Sequence, residues 1–590
     1  MPYDGCVLFS IKKELETAII NSKIEKIYQP TQNVLILNLR QNKRNYRLLI
    51  SAHPNSARLH LTDMQTENPV SPPTFCMVLR KHLIGGRIIE LFQPKLERIL
   101  NIKIETVDEL GIVNYKTLII EIMGKHSNII LVDTKTRKII DSIKRVPASI
   151  SSYRQIIPGT TYKEPPYQDK LNPLSRDEKS FVEILTNSAV SKIFNVIVNN
   201  YTGISPALAK HIVKVSGFDE NVESSVLNNE NIVYLWKSFD NILDLVEGND
   251  LEPIIFFDNK KNKFIDFYIF NLLQYNSYTK KEMSDVNATA DLFYTMKINN
   301  DEISNYKNNL QKTINNALEK CNRKLREYKQ NINDVNNKEN YRIFGELITA
   351  NIYRIEKGTA ELLVKNYYQA EQPLISIELD PALTPSQNAQ FYFKKYHKLK
   401  NSERILKKMI TDIEDEINYL EGISISLENT NELEVLDEIK QELIKQGYIR
   451  LKRKKKTREN LKLQEVTPRK FISTEGFEIF VGKNNKQNDY ITLKLAADHD
   501  VWFHTKNIPG SHVIVRTMGE SLGEKTITEA ANLAAFYSKA KNSSNVPVDY
   551  TEKKNIKKPR SSKPGMVIYK NYNTIYITPS LEEINKLKNN

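Results

Sequence analysis

The sequence predicts a multidomain α+β protein. It comprises a mixed α/β N-terminal domain, a helical domain with a helix-hairpin-helix, a long antiparallel coiled-coil arm and a small α+β C-terminal module. Three observations carry this reading. At 590 residues the chain exceeds what one hydrophobic core supports. Its first third alternates short apolar runs with Gly and Pro turns, the pattern of packed strands and helices. Further on, apolar residues recur every three or four positions in two long segments, the seam of paired helices.

The expected domains are 1–173, 174–285, the arm at 286–449, a basic linker at 450–463, the C-terminal module at 464–580 and a frayed tail at 581–590. In the first, residues 11–20 read as a helix, and 34–39 with 46–51 as a hairpin. Pro72 and Pro73 open a helix over Thr74–Leu83 that Gly85 and Gly86 close. Strands follow at 87–92 and 98–104 around a turn at 93–97, then a hairpin of 118–123 with 128–133 across Gly124, Lys125 and His126. Residues 181–199 have helical apolar spacing. After a turn at Gly203, Ser205 is placed to cap a second helix with Pro206 in its first turn, forming a helix-hairpin-helix that ends at Gly217. The free N–H groups of such a second helix can hold a phosphate.

The arm rests on two seams. Leu318, Cys321, Leu325, Tyr328, Ile332 and Val335 form one; Leu406, Met409, Ile413, Ile417 and Leu420 form the other. Between them the sequence predicts a helix at 344–364 and an extended stretch at 374–379. In the last module, 477–481 alternates as a strand, 483–489 reads as a polar loop, and 490–495, 501–504 and 511–515 as further strands. Thr526 and Glu529 have the spacing of a capping box for a helix running to about residue 541.

A formal net charge of +14 and a pI near 9.1 favour polyanionic partners. Seven of the eleven residues 450–460 are basic, including Arg453, Lys454, Lys455 and Lys456; Lys557 and Lys558 belong to a second basic cluster. Cys6, Cys76 and Cys321 are too few and too far apart for a disulfide framework or a zinc site, so a reducing cytosol and no metal are expected. The start, MPYDGCVLFSIKKELE, lacks the basic-then-apolar pattern of a signal peptide, and no apolar stretch is long enough to span a membrane. Nothing in the residues forms a catalytic constellation or a phosphate-binding glycine loop, so no catalytic residue and no cofactor are assigned.

Two groups of residues could carry binding. In the first domain, Glu97 could hold the Arg98 guanidinium by a bidentate pair, with Lys125, His126, Arg145 and Arg154 completing a basic face. In the last module, Lys483, Asn484, Asn485, Lys486, Asn488, Asp489, Trp502, His504, Ser511 and His512 combine amide donors, positive charge and aromatic rings. That mixture contacts phosphates and stacks on bases. A competing enzymatic reading takes Pro2 as an N-terminal secondary amine of a DNA glycosylase or lyase; Tyr3 occupies the position where a glutamate would be needed, and Asp4 comes one place late.

The run VGKNNKQNDYITLKLAADHDVWFHTKNIPGSHV resembles the C-terminal module of the NFACT family, and FCMVLRKHL, GKHSNIILVD, PGTTYKEPP and ELDPALTPSQNAQFYFKKYHKLK resemble its other segments in family order. The resemblance implies a cytoplasmic factor of ribosome-associated quality control, monomeric on the ribosome. Such a factor binds large ribosomal subunits carrying peptidyl-tRNA and recruits alanyl-tRNA. It thereby promotes alanine tailing of the nascent chain without mRNA, using the ribosome's own peptidyl transferase centre. It also implies tRNA contacts for Glu97 and Arg98, which fall where the family has an Asp-Arg pair, and for Glu121, Ile122 and Met123 at a second family motif. An older name of the family implies a fibronectin-binding surface adhesin instead; the sequence offers no signal peptide or anchor for that.

Overall fold

The computed structural model describes residues 3–166, 168–188, 190–248, 251–259, 263–335, 337–450, 467–560 and 562–588. Pro2 and the block holding Arg453, Lys454, Lys455 and Lys456 lie outside the described residues. The chain divides into two compact units, Met1–Asn300 and Asp301–Asn590.

The first unit is built on an antiparallel nine-stranded sheet. Helix α1 (Gly5–Ile19) begins earlier than apolar spacing suggests, because the Asp4 carboxylate accepts from the Val7 N–H and caps it. The strands are β1 (Lys23–Thr31), β2 (Val34–Gln41), β3 (Arg44–Ser51) and β4 (Arg58–Leu61), then, after α2 (Thr74–Leu83), β5 (Arg87–Phe92), β6 (Ile99–Val107), β7 (Val113–Glu121), β8 (Asn128–Asp133) and β9 (Ile139–Ser142). Their order is β4-β3-β2-β1-β5-β6-β7-β8-β9, so β1 and β5 join a four-stranded and a five-stranded meander. One face packs Leu100, Ile102, Leu118, Ile120 and Leu131 into the main core with α1, while Ile99, Ile119, Ile130 and Val132 form a smaller cluster on the other.

Helices α3 (Glu178–Asn187), α4 (Ile193–Asn200), α5 (Pro206–Val215) and α6 (Asn229–Glu247) follow. The expected single helix at 181–199 is therefore two. Ser205 caps α5 as expected, its hydroxyl accepting from Leu208 N–H at 3.2 Å. The region to residue 285 is less helical than the sequence predicts: β10 (Ile254–Asp258), β11 (Lys263–Tyr268) and β12 (Thr279–Glu282) form a three-stranded sheet ordered β11-β10-β12. Phe256 of β10 and Phe267 of β11 bury in the core there, each beside a second buried residue, Ile255 and Tyr268, rather than in alternation. Helix α7 (Val286–Val335) gives Phe293 and Tyr294 to this core.

In the second unit, α7 residues Leu310, Ile314 and Cys321 share a core with Tyr419, Leu420, Ile423 and Leu427 of α9 (Pro385–Glu428) and with α10 (Leu433–Lys445). Of the expected seam, Leu318, Ile413 and Ile417 are partly buried there, whereas Met409 is exposed. Between α7 and α9 lie α8 (Lys338–Ala350) and the hairpin β13 (Glu361–Lys365) with β14 (Leu374–Glu378). The helix expected at 344–364 ends at Ala350, and Glu361–Lys365 is a strand that buries Leu362 and Val364 on one face.

The C-terminal sheet runs β15 (Arg469–Ile472), β16 (Glu478–Val481), β18 (Val513–Arg516), β17 (Val501–Thr505), β19 (Val546–Glu552), β22 (Asn573–Ile577) in spatial order, backed by α12 (Glu524–Phe536). The short pair β20 (Ile556–Lys557) and β21 (Ile568–Tyr569) lies outside that sheet. The hairpin expected over 483–495 is instead α11 (Asn485–Tyr490) continued by a π-helical turn, Ile491–Leu495. Asn484 starts the helix by accepting from Gln487 N–H at 2.9 Å, and Ile491 turns inward against Trp502 and Ile514. The capping box expected at Thr526 does not form. The helix starts at Glu524, and Thr526 and Glu529 bond back to the loop before β16, through Glu475 and Thr474 respectively. The tail is not frayed throughout: α13 (Leu581–Lys588) buries Ile584 and Leu587.

Candidate nucleic-acid interface

In the first unit a cavity of about 830 Å³ is lined by Glu97, Arg98, Met123, Lys125, His126 and Arg154. The sequence places these residues at three separate points; the sheet brings them together because the turn at 93–97 and the Gly124–His126 turn lie at the same end of β6 and β7. Ser205 and Pro206 also line it, so the N-terminus of α5, the favoured end for an anion, borders the same space.

Three backbone segments meet at this end. Lys95 and Leu96 have positive φ of 44° and 57° and turn the chain sharply. The Gln93 side-chain amide fixes that turn, donating to the Gly5 and Glu97 carbonyls at 2.9 Å each. Gly5 N–H donates to Gly203 carbonyl at 2.9 Å. Only glycine fits at positions 5 and 203: a Cβ would sit 2.1 Å and 2.3 Å, respectively, from the Leu96 carbonyl oxygen.

The expected bidentate pair between Glu97 and Arg98 is not formed. Among the described residues no carboxylate lies within ion-pair distance of Arg98, and consecutive residues at the entry to a strand project in different directions. Burial pushes the Glu97 carboxyl up, against the opposing pull of Arg98, Lys170 and Lys95. Arg98 is half-buried, and Lys125 and His126 are exposed on their turn.

Arg154 is held differently. Its guanidinium forks onto the buried Glu121 carboxylate, with Nη1 to Oε2 at 3.0 Å and a second contact from Nη2 to Oε1. Tyr162 hydroxyl donates to the same carboxylate at 2.9 Å. Glu121 thus anchors the segment carrying Arg154, and Ile122 is fully buried in the core. Arg145 pairs with Asp141 at 3.0 and 3.1 Å and does not line the cavity.

Sequence reasoning missed Lys144, Asn128 and Lys170. Lys144 Nζ donates to the carbonyls of Ala52 (2.6 Å) and Ser127 (2.9 Å), and Asn128 ties both to and from the Lys144 backbone. Together they brace the turn that presents Lys125 and His126. Asp4, noted in the glycosylase reading, is committed to capping α1 and accepts from Tyr268 hydroxyl at 3.1 Å.

In the C-terminal module the amides predicted as a loop face an acidic helix. Glu438 accepts from Asn484, Lys486 and Gln487 at 2.8–2.9 Å, Glu442 accepts from Asn485 at 3.0 Å, and Lys483 pairs with Glu432 at 2.6 Å. Asn488 accepts from His512 N–H at 3.0 Å, Ser511 hydroxyl donates to Gly482 carbonyl at 2.7 Å, and Asp489 pairs with Lys558. Lys557 is exposed. Trp502 is fully buried and stacks on His504, ring centroids 5.6 Å apart, with His512 edge-on at 5.3 Å. Burial holds the His504 imidazole down to about 4, and pushes His512 well below its ordinary value too.

Among the described residues no helix is long and apolar enough to cross a membrane, and no group of three or more His, Cys, Asp or Glu side chains could hold a metal. Residues 4–462 match the NFACT N-terminal and middle domains, and 468–571 the NFACT protein RNA binding domain. The chain is 37% identical over 588 residues to the Rqc2 homolog RqcH of Bacillus subtilis, covering all of both chains. It is 23% identical over 216 residues to the human ribosome quality control complex subunit NEMF, covering 37% of this chain and 19% of that one. A crystal structure of the fibrinogen binding protein from Staphylococcus aureus is 33% identical and covers 50% of this chain and 99% of that one, at a TM-score of 0.42. With both family regions matched in order along the chain and 37% identity to an RqcH protein along its full length, this chain belongs to the NFACT family, among homologues of the RqcH and NEMF ribosome quality control factors.

Proposed function

We propose that this protein is a cytoplasmic factor that binds large ribosomal subunits still carrying peptidyl-tRNA and recruits alanyl-tRNA to them. Alanines are then added to the nascent chain without mRNA. The bond is made by the ribosome's peptidyl transferase centre, and the protein's work is positioning. The observation that carries this reading is the cavity on which Arg98, Lys125, His126 and the N-terminus of α5 converge. Three cationic or polar side chains and a helix end on one concave surface suit the phosphates and base edges of a tRNA loop. The proposed division of labour follows the expected domains: 1–173 and 174–285 engage tRNA, 286–449 reaches along the subunit, and 464–580 with its basic linker holds RNA.

The double variant Glu97→Ala, Arg98→Ala tests it. The variant should cosediment with large subunits as the parent does, yet recover about tenfold less tRNA and add no alanine, since one lost base or phosphate contact costs about 1–3 kcal/mol. Glu97→Asp keeps the carboxylate and should retain both. Normal tRNA recovery and tailing by the double variant would refute the assignment.

A further inference from the structure

The C-terminal module holds a second concave site, of about 480 Å³, between α9, the start of α11 and the sheet. Its lining includes Gly422, Asn485, Trp502, His504, His512 and Tyr569. The aromatic rings form a cage: Trp502 lies 5.6 Å from His504 at 16°, 5.3 Å from His512 at 84° and 4.8 Å from Tyr569 at 52°. Trp502 Nε1 is buried and has no hydrogen-bond partner, which is rare for a donor that costs about 1–3 kcal/mol to leave unsatisfied.

The cage carries little charge. Both imidazoles are held neutral at pH 7 by burial. The nearest lysines are spent: Lys558 pairs with Asp489, and Lys563 with Glu416. A phosphate finds no free cation among these groups. A flat, uncharged ring finds the partly exposed rings of His504 and Tyr569, backed by the buried Trp502 whose N–H donor is unused.

We propose that this cavity takes one unpaired nucleobase from the RNA that the module binds. The inference rests on the RNA-binding reading of residues 468–571 and adds to it a selectivity for single strands, because a base inside a duplex cannot enter.

Gly422 offers a clean way to fill the site. It lies in helix α9, and a Cβ there would meet only Asn485 Oδ1 and Pro509 Cβ, each at 4.0 Å. Gly422→Leu therefore occupies cavity space without backbone strain, and Gly422→Ala is the control. The chain has two tryptophans, so Trp236→Phe in the full-length protein leaves Trp502 as the sole indole emitter. Titration with a short oligoadenylate should quench Trp502 emission. Gly422→Leu should abolish the quench and weaken oligoadenylate binding about tenfold while changing binding of a duplex of equal length less than about twofold, in keeping with one lost base stack; Gly422→Ala should behave as the parent. Unchanged quench and single-strand affinity in Gly422→Leu would overturn the proposal. So would parent protein that binds both RNAs without any quench, a result that leaves RNA binding intact. Parent protein that binds neither RNA would defeat the RNA-binding reading and this proposal together. Quenching by a tyrosine-containing peptide but not by oligoadenylate would make the occupant a polypeptide and also overturn it.

Discussion

Replacing Gly203 by alanine should damage the cavity end of the first unit, and the structure sets the size of the effect. Gly203 has a φ of +76°, where an alanine costs about 1 kcal/mol in conformational energy alone. The added Cβ would also lie 2.3 Å from the Leu96 carbonyl oxygen and 2.8 Å from Leu96 Cβ. The Leu96 turn must retreat by about 1 Å, and overpacking of this kind costs about 1–3 kcal/mol. Retreat also loosens the Gln93 bonds to Gly5 and Glu97, at roughly 1 kcal/mol for each bond lost. The total is about 2 kcal/mol at the least and about 6 kcal/mol if both bonds are lost. Gly217 supplies the comparison: its φ is +87°, but a Cβ there meets nothing within 4 Å, so Gly217→Ala should cost only the conformational part, about 1 kcal/mol. Urea unfolding followed by Trp236 emission, with Trp502 replaced by phenylalanine throughout, reads the first unit. The difference between the two variants isolates the close approach. Because the Leu96 turn carries Glu97 and Arg98, tRNA affinity should fall in Gly203→Ala and hold in Gly217→Ala. Equal destabilisation by the two substitutions, or intact tRNA binding in both, would refute the argument that three backbones are locked together there.

Two further predictions concern the second unit. Glu438→Ala strips α11 of an acceptor used by Asn484, Lys486 and Gln487, so amide exchange over Asn485–Tyr490 should accelerate about thirtyfold or more, matching a loss of about 2 kcal/mol or more; unchanged protection would show that the acidic helix does not hold α11. His504 and His512 have folded-state values below the ordinary 6.5, so the unfolded chain takes up protons first as pH falls. Stability of this unit should therefore be full above about pH 6.5 and decline by about 1.4 kcal/mol per pH unit for each of the two histidines toward pH 4, partly offset by Glu442, which burial raises; a flat urea midpoint from pH 7 to 5 together with an ordinary His504 titration by NMR would contradict this.

What the sequence made legible was local. Pro72 and Pro73 before Thr74–Leu83, and Ser205 with Pro206 before α5, act through neighbours one to three residues away, and both helices start where those signals put them. The misread stretches depend on distant partners. Residues 490–495 alternate well enough to suggest a strand after a polar loop at 483–489, but Asn484, Asn485 and Gln487 find their acceptors on Glu438 and Glu442, more than forty residues earlier, and Ile491 finds its core against Trp502. A period-two pattern says which side chains share a face of a strand; it cannot say that a helix will use the same side chains better. The candidate cavity shows the same division. Glu97, Arg98, Lys125 and His126 stand out as charged residues at turns, whereas the bracing role of Lys144 depends on the carbonyls of Ala52 and Ser127, which no spacing rule connects to it.

The pairing of charges inside the second unit also bears on where a polyanion can act. A net charge of +14 invites the assumption that every basic residue near an RNA-binding module contacts phosphate. Lys483, Lys486, Lys558 and Lys563 each have a carboxylate within salt-bridge distance, on Glu432, Glu438, Asp489 and Glu416 respectively. A phosphate competing for one of these lysines must leave a carboxylate unpaired, and Glu438 is itself half-buried and already serves two amides. These lysines are therefore poor sources of counterion release. Among the described residues the exposed Lys557 pairs with no carboxylate, so a phosphate meeting this module would gain more from side chains like it than from the residues that hold α11 in place.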